Sequence, residues 1–572
     1  EAGNAGLEAE GIALAKARRV AMARWIERDP EFALMQAVGP DARRDLPAAV
    51  LAELERWIEG KGSLEVVIKC GPQVKPADQT ARNVRLNGEE FKAFVYGRRL
   101  GQTTRYDVPV HGVAVDGRLA LHSSPVRQLE PGEVQARRLN PQAVNLETGG
   151  EIASATSALD AFAIEAGLLA RESGRGPYPA GQTAAGRVPA GLPPGTAAFP
   201  PSPGWTLGIK RVLVILVDFS DAPGALMTTN AAHQVMINVN QFYGENSQGQ
   251  TTIQPTYFPV TLRLPQTKAA YVNISPLFPL PSLRDETLAA ARAYDQQNGN
   301  TGAFNPDTYD FDITVFTTIT GANYDFAGLA FVGAKGCVIN GSFDFRTVTH
   351  ELGHNFGLQH ANRWDVTGTD PIDPAGTHNE YGDEYDAMGA NNFDTSLHYS
   401  EWFKAYLGWL NTSQWRTAPT GGVYRLFRHD HTNASGIRGI TVGQASDRAY
   451  WLGFRRNLST YTANGFGATN FLANGVEFRW GMQPPGLTSD TTVGSRLLNF
   501  TPATANFTRH PLPIGQTFTD PAFNLSITPL SVGGTSPNEF IDLNITYSTP
   551  PVTIKQNPTN LTVLEGNTAS FS

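Results

Sequence analysis

The stretch His350-Glu351-Leu352-Gly353-His354-Asn355-Phe356-Gly357-Leu358-Gln359-His360 decides how this chain is read. Residues four apart share one face of a helix, so His350 and His354 can offer two imidazoles to a single ion. A glycine at 357 can take the left-handed backbone that ends a helix and turns the chain, bringing His360 back as a third nitrogen. Three neutral imidazoles leave a fourth tetrahedral position open to water, as in catalytic rather than structural Zn2+ sites. Glu351, beside the first histidine, can take a proton from that water and later return it to a leaving amine. The pattern H-E-x-x-H-x-x-G-x-x-H is met at every fixed position. It predicts His350, His354 and His360 as metal ligands, Glu351 as catalytic base and Gly357 as the structural turn.

Working outward, Arg211 to Phe219 is a continuous apolar run, the pattern of a strand buried on both faces. Val239 to Ser247 and Leu283 to Gln297 read as helices, and Phe311 to Phe316 as a second buried strand. This alternation predicts an α/β catalytic domain over 205–412. Ahead of it, 172–204 is a Pro/Gly-rich linker whose Arg175 and Arg187 offer cleavage points. Residues 1–171 form a leader, helical over about the first sixty residues and then β, with strands at Leu64–Ile68, Ala93–Tyr96 and Val108–Val115, the last interrupted at His111-Gly112. Its place before a cleavable linker gives it the look of a propeptide. From Gly421 the chain turns Thr-, Gly- and aromatic-rich with short alternating strands, which predicts an all-β, β-sandwich-like domain over 413–549. Residues 550–572 read as the first strands of an immunoglobulin-like repeat. The expected fold class is multidomain α+β.

Composition narrows the function classes. With 45 basic and 53 acidic residues the net charge is -8, which argues against a nucleic-acid partner. No apolar run approaches the roughly 18 residues of a membrane span. The first residue is Glu1, as in a chain trimmed after export, so a secreted or cell-surface location is expected. Two cysteines, Cys70 and Cys337, cannot build a disulfide scaffold.

Asp386-Ala387-Met388-Gly389 follows the histidine motif, and with it the chain resembles the metzincin endopeptidases, whose methionine turn lies beneath the metal. Tyr399 to Lys404 and Leu407-Gly408-Trp409-Leu410 look like the segment that follows this turn in the gametolysin family. The resemblance covers about Arg211 to Leu410. It implies a metzincin-like fold with Met388 structural at the site. Cys70-Gly71 invites an inhibitory-thiol reading in which Cys70 caps the metal, but its surroundings differ from the switch of matrix metallopeptidases and favour a disulfide with Cys337 or an inert thiol. Asp365, Asp370, Asp373, Glu380, Asp383, Glu384 and Asp386 could supply oxygens to Ca2+; solvated charges or braces of the turn are the plainer reading. His398 and Tyr399 are expected to serve structure. The expected function is a secreted zinc endopeptidase made as a zymogen, acting on extracellular protein or peptide substrates, with C-terminal β domains meeting a cell-surface or matrix partner. The alternative is an adhesin or matrix-binding protein with an inactive metzincin scaffold; an immune-inhibitor-like zinc peptidase would share the same motif.

Overall fold

A computed structural model of the chain describes residues 5–71, 74, 80–95, 103, 107–121, 203–273, 279–299, 301–321, 324–389, 398–443, 450–456, 474–480, 495–500 and 511–548. Nearly all of the linker and the whole segment read as an immunoglobulin-like start lie outside the described residues. What is described is mixed α/β with more strand than helix, in three sheets.

The leader opens with helix α1 (Ala5–Arg28), which buries Met22 and Ile26 against Val115 and Ala120. Strands β1 (Arg56–Cys70), β2 (Thr80–Leu86), β3 (Glu89–Val95), β4 (Val108–Val115) and β5 (Arg118–Leu121) then follow one another around a ring, in the order β2-β3-β5-β4-β1, closed by a β1–β2 pairing. Strand β4 runs unbroken through His111-Gly112. The glycine does not interrupt it; a Cβ at 112 would collide with the Ala120 carbonyl, so its absence lets β4 and β5 approach.

The 15 residues of β1 exceed what the ring needs. Its last four pair antiparallel with β10 (Gly328–Phe331), in the register Val67↔Phe331 to Cys70↔Gly328. This pairing joins the leader strands and those of 208–340 into one 11-stranded sheet. Beyond β10 lie β11 (Cys337–Asn340), β9 (Phe311–Phe316), β6 (Gly208–Phe219) and β7 (Thr251–Tyr257), with β8 (Leu262–Leu264) also on β6. Helices cover both faces, which explains the unbroken apolar run of β6. Val212 and Val214 face a core with α2 (Thr229–Asn246) and α4 (Phe345–Phe356), while Leu213, Ile215 and Val217 face one that includes Leu283, Leu288 and Ala291 of α3 (Pro279–Gln297).

The remaining strands form an eight-stranded mixed sheet and a four-stranded antiparallel one. The larger contains β12 (Asn362–Asp365), β13 (Thr377–Asn379), β14 (Trp415–Thr417), β16 (Gly439–Val442), β17 (Tyr450–Gly453), β18 (Gly475–Trp480), β19 (Arg496–Leu498) and β20 (Leu512–Pro513). The smaller contains β15 (Gly422–Phe427), β21 (Phe518–Asp520), β22 (Leu525–Gly533) and β23 (Phe540–Tyr547), and one apolar cluster joins the two. The sheets do not respect a boundary at residue 412. Strand β12 lies before it yet pairs in parallel with β19, more than a hundred residues downstream. Such pairing leaves no local periodicity to read.

Candidate metal centre

Helix α4 starts where the Asp344 side chain accepts from the Thr347 amide at 2.9 Å and ends at Gly357, whose φ of 116° only glycine adopts without strain. The amide of Leu358 then closes on the Gly353 carbonyl at 3.0 Å, and the turned chain carries His360 back over the helix. The three imidazoles converge, with ring centroids 4.8, 5.3 and 4.9 Å apart.

Each outer nitrogen is anchored. His350 Nδ1 donates to the Ala387 carbonyl at 2.9 Å, His354 Nδ1 to the Leu358 carbonyl at 2.8 Å, and His360 Nδ1 to the Glu380 carboxylate at 2.6 Å. With the protons placed there, all three Nε2 atoms turn lone pairs inward. Burial first, and then neighbouring His360, push His350 down to about 3; burial likewise lowers His354, so both stay neutral. Burial opposes the charge of Glu380, yet hydrogen bonds from His360 and His378 outweigh it and hold the carboxyl down at about 2.

The methionine turn packs against the same helix. Met388 is fully buried, and Asp386 holds its turn by accepting from the Met388 amide at 2.8 Å and the Ser400 amide at 2.6 Å. Gly353 is required on the facing turn of α4. A Cβ there would overlap the Met388 sulfur and come within 2.6 Å of the Tyr399 hydroxyl.

Glu351 is wholly buried, and among the described residues neither carboxylate oxygen has a hydrogen-bond partner of normal geometry. Gly328 of β10 faces it, since a Cβ at that position would strike the carboxylate. Burial pushes this carboxyl well up.

The fourth member of the cluster is Cys70. Its sulfur lies 3.3 Å from His354 Nε2 and 3.6 Å from His360 Nε2, and the donor atoms of Cys70, His350, His354 and His360 all fall within 4.8 Å of one another. Cys70 and Cys337 are both free thiols, which corrects the disulfide reading. Strand pairing with β10 carries Cys70 to the histidines, a long-range contact of which a Cys-Gly dipeptide holds no local sign. Burial, and then Glu351, push the Cys70 thiol well up. A buried cage of three imidazole nitrogens, one of them, His350 Nε2, with no hydrogen-bond partner among the described residues, could hold a metal ion.

The acidic stretch is engaged within the protein. Asp365 and Glu384 bind Arg363, Asp383 binds Arg479, and Asp386 binds amides. His398 and Tyr399 serve structure as expected: Lys404 Nζ meets His398 Nδ1 at 2.6 Å, and Tyr399 meets the hydroxyl of Tyr243 at 3.0 Å. Two residues at the site were not singled out from the sequence. In the sequence Glu380 is one acid in a crowd and Tyr381 carries no motif; its ring lies tilted against His360 at a centroid distance of 3.8 Å.

No family model matches the chain, and no curated protein matches it.

Proposed function

We propose that the chain is a zinc-dependent endopeptidase kept latent by its own leader. The observation that carries this reading is the pairing of three inward imidazole nitrogens, each fixed by a partner on Nδ1, with the adjacent carboxylate of Glu351, which among the described residues has no hydrogen-bond partner of normal geometry. Bound at these nitrogens, Zn2+ would supply a Lewis acid and a water of lowered pKa.

The protein's own groups do the rest. Glu351 takes the proton of the attacking water and hands it to the amide nitrogen as the C–N bond breaks. Its burial withholds competing solvent, and the missing side chain of Gly328 makes room for the carboxylate itself. The Ala387 and Leu358 carbonyls and Glu380 keep the imidazoles from rotating. In the intact chain Cys70 fills the side of the cage that water needs, while β1 covers the β10 edge.

The test compares zinc content and casein cleavage for three proteins: the intact chain, the chain cut within 172–204, and the cut Glu351→Ala variant. Activity confined to the cut parent supports the proposal. Equal inactivity of the cut parent and its variant, both carrying zinc, would leave the adhesin alternative standing.

A further inference from the structure

We infer that the Tyr381 hydroxyl is a catalytic hydrogen-bond donor to the scissile carbonyl of an extended polypeptide laid antiparallel along β10. The inference rests on the peptidase reading above and adds to it a residue and a substrate geometry.

The leader shows where a polypeptide lies. Its segment Val67–Cys70 is an added strand on β10, held by the Ala327 amide donating to the Cys70 carbonyl at 2.7 Å and the Val332 amide to the Val66 carbonyl at 3.0 Å. These contacts use backbone alone, so any extended chain can make them. Alternation sends Val67 into the core that includes α3, and Ile68 and Cys70 to the opposite side among the leader's strands, where Cys70 reaches His354 of α4. The backbone between Lys69 and Cys70 therefore passes beside the three histidines.

One side chain meets the carbonyl of that peptide. The Tyr381 hydroxyl donates to the Lys69 carbonyl oxygen at 3.4 Å and also faces the Cys70 thiol. A long hydrogen bond to a resting carbonyl is expected of a group that tightens only as charge develops.

Tyr381 is held for this position. It adopts φ 62°, a left-handed backbone rare for an aromatic residue, at a local cost on the order of 1 kcal/mol. Its amide donates to Asn362 Oδ1 at 3.0 Å, and the Asn362 amide group donates to the His360 carbonyl at 3.1 Å, which ties the turn to the metal-ligand loop. The ring lies against His360 and half-stacks on His350, so the hydroxyl stands at a fixed offset from the cage. Packing against His360 alone would be served by phenylalanine and would not need the hydroxyl.

With the leader displaced, a substrate carbonyl takes the place of Lys69 C=O. Water forms a bond to its carbon while the carbonyl π pair moves onto oxygen. Glu351 accepts the proton from water and transfers it to the amide nitrogen, the C–N bond breaks, and the oxygen returns its pair to carbon. Tyr381 keeps its proton throughout and donates a hydrogen bond to the negative oxygen.

The experiment uses the full chain cut within 172–204, as parent and as Tyr381→Phe. Besides casein turnover and zinc content, it measures affinity for two peptides of one sequence. One has a phosphinic centre that carries the oxyanion; the other has a reduced methylene-amine bond with no oxygen there. Loss of one oxyanion donor is expected to lower kcat and phosphinic-peptide affinity by about 10²-fold, with KM, zinc content and reduced-peptide affinity within about two-fold. The ratio of the two affinities does not depend on the fraction of protein folded, so partial misfolding of the variant cannot imitate this result. An active parent whose Tyr381→Phe variant keeps the same kcat and the same affinity ratio overturns the role of Tyr381 alone. A zinc-loaded parent that neither cleaves casein nor binds the phosphinic peptide overturns the peptidase reading and this inference together.

Discussion

The sulfur of Cys70 sits 3.3 Å from Nε2 of His354, although 284 residues separate them in the chain. The contact is made by register: Cys70 pairs with Gly328, and Gly328 faces Glu351 on the same helix as His354. The leader thus reaches the site through backbone pairing rather than through a recognisable inhibitory motif.

If the thiol closes the site, the cobalt-substituted intact chain should show a sulfur-to-metal charge-transfer band that Cys70→Ser abolishes. A coordinating thiol is deprotonated by its ion, which overrides the upward push of burial. Intact Cys70→Ser should also show partial casein cleavage where the intact parent shows none, partial because β1 still covers β10. Absence of the band from the parent would exclude ligation by Cys70.

Glu380 holds the His360 ring by a 2.6 Å hydrogen bond. Glu380→Ala should weaken zinc binding about 10- to 100-fold, the usual cost of losing a partner that orients a metal ligand. Competition against a chromogenic chelator measures it. Unchanged affinity would show that the His360 ring is held by packing against Tyr381 instead.

Much of this was legible in the sequence, and unequally so. The histidine motif makes the three converging imidazoles, the adjacent Glu351 and the Gly357 turn legible because each need is local: helical spacing, a neighbouring carboxylate, a left-handed cap. Strands β6 and β9 were legible because burial on both faces leaves unbroken apolar runs. The roles of Glu380, Tyr381 and Cys70 were not, since each depends on a partner brought by tertiary folding. Neither was the pairing of β12 with β19, for the same reason.

Gly353 shows how tightly α4 is packed on the methionine turn. Gly353→Ala gains helix propensity but must displace Met388 or Tyr399, so a net loss of roughly 1–3 kcal/mol is expected. Urea midpoints of the two proteins compare directly. A stabilised variant would mean that the Met388 side chain repacks freely.

Arg479 of β18 ties the second sheet to the site. It binds Asp383 at 2.6 Å, Glu401 at 3.1 Å and Glu477 at 2.6 Å, and all four side chains are fully buried. Arg479→Met leaves three buried carboxylates short of their cation, and a loss of about 3–5 kcal/mol is expected. A loss below about 1 kcal/mol in chemical denaturation would show that Arg455, which also meets Glu477, takes over the charge.

Acid should leave the metal-free protein's stability nearly level down to about pH 4.5 and lower it steeply beneath. His350 is held down at about 3, and burial lowers His354, His398 and His429 as well. A histidine with a depressed folded pKa is neutral when folded and binds a proton when unfolded. Its stability contribution is therefore complete above about 6.5 and is lost as pH falls toward the folded value, at about 1.4 kcal/mol per unit of separation. Buried carboxyls act oppositely: burial raises Glu384 to about 7 and also raises Asp386 and Glu401, so their protonation favours the folded state as pH falls from 7 toward the ordinary carboxylate range. The two sets offset each other down to roughly 4.5, where these carboxyls are protonated folded or unfolded and stop contributing. Below that the histidines are no longer offset, and Glu380, held at about 2, adds loss of the same sign. Urea midpoints measured in chelator should accordingly change little between pH 6.5 and 4.5 and fall steeply beneath. A steady decline beginning at 6.5 would mean that the raised carboxyls of the second sheet interface are ionised in the folded protein after all.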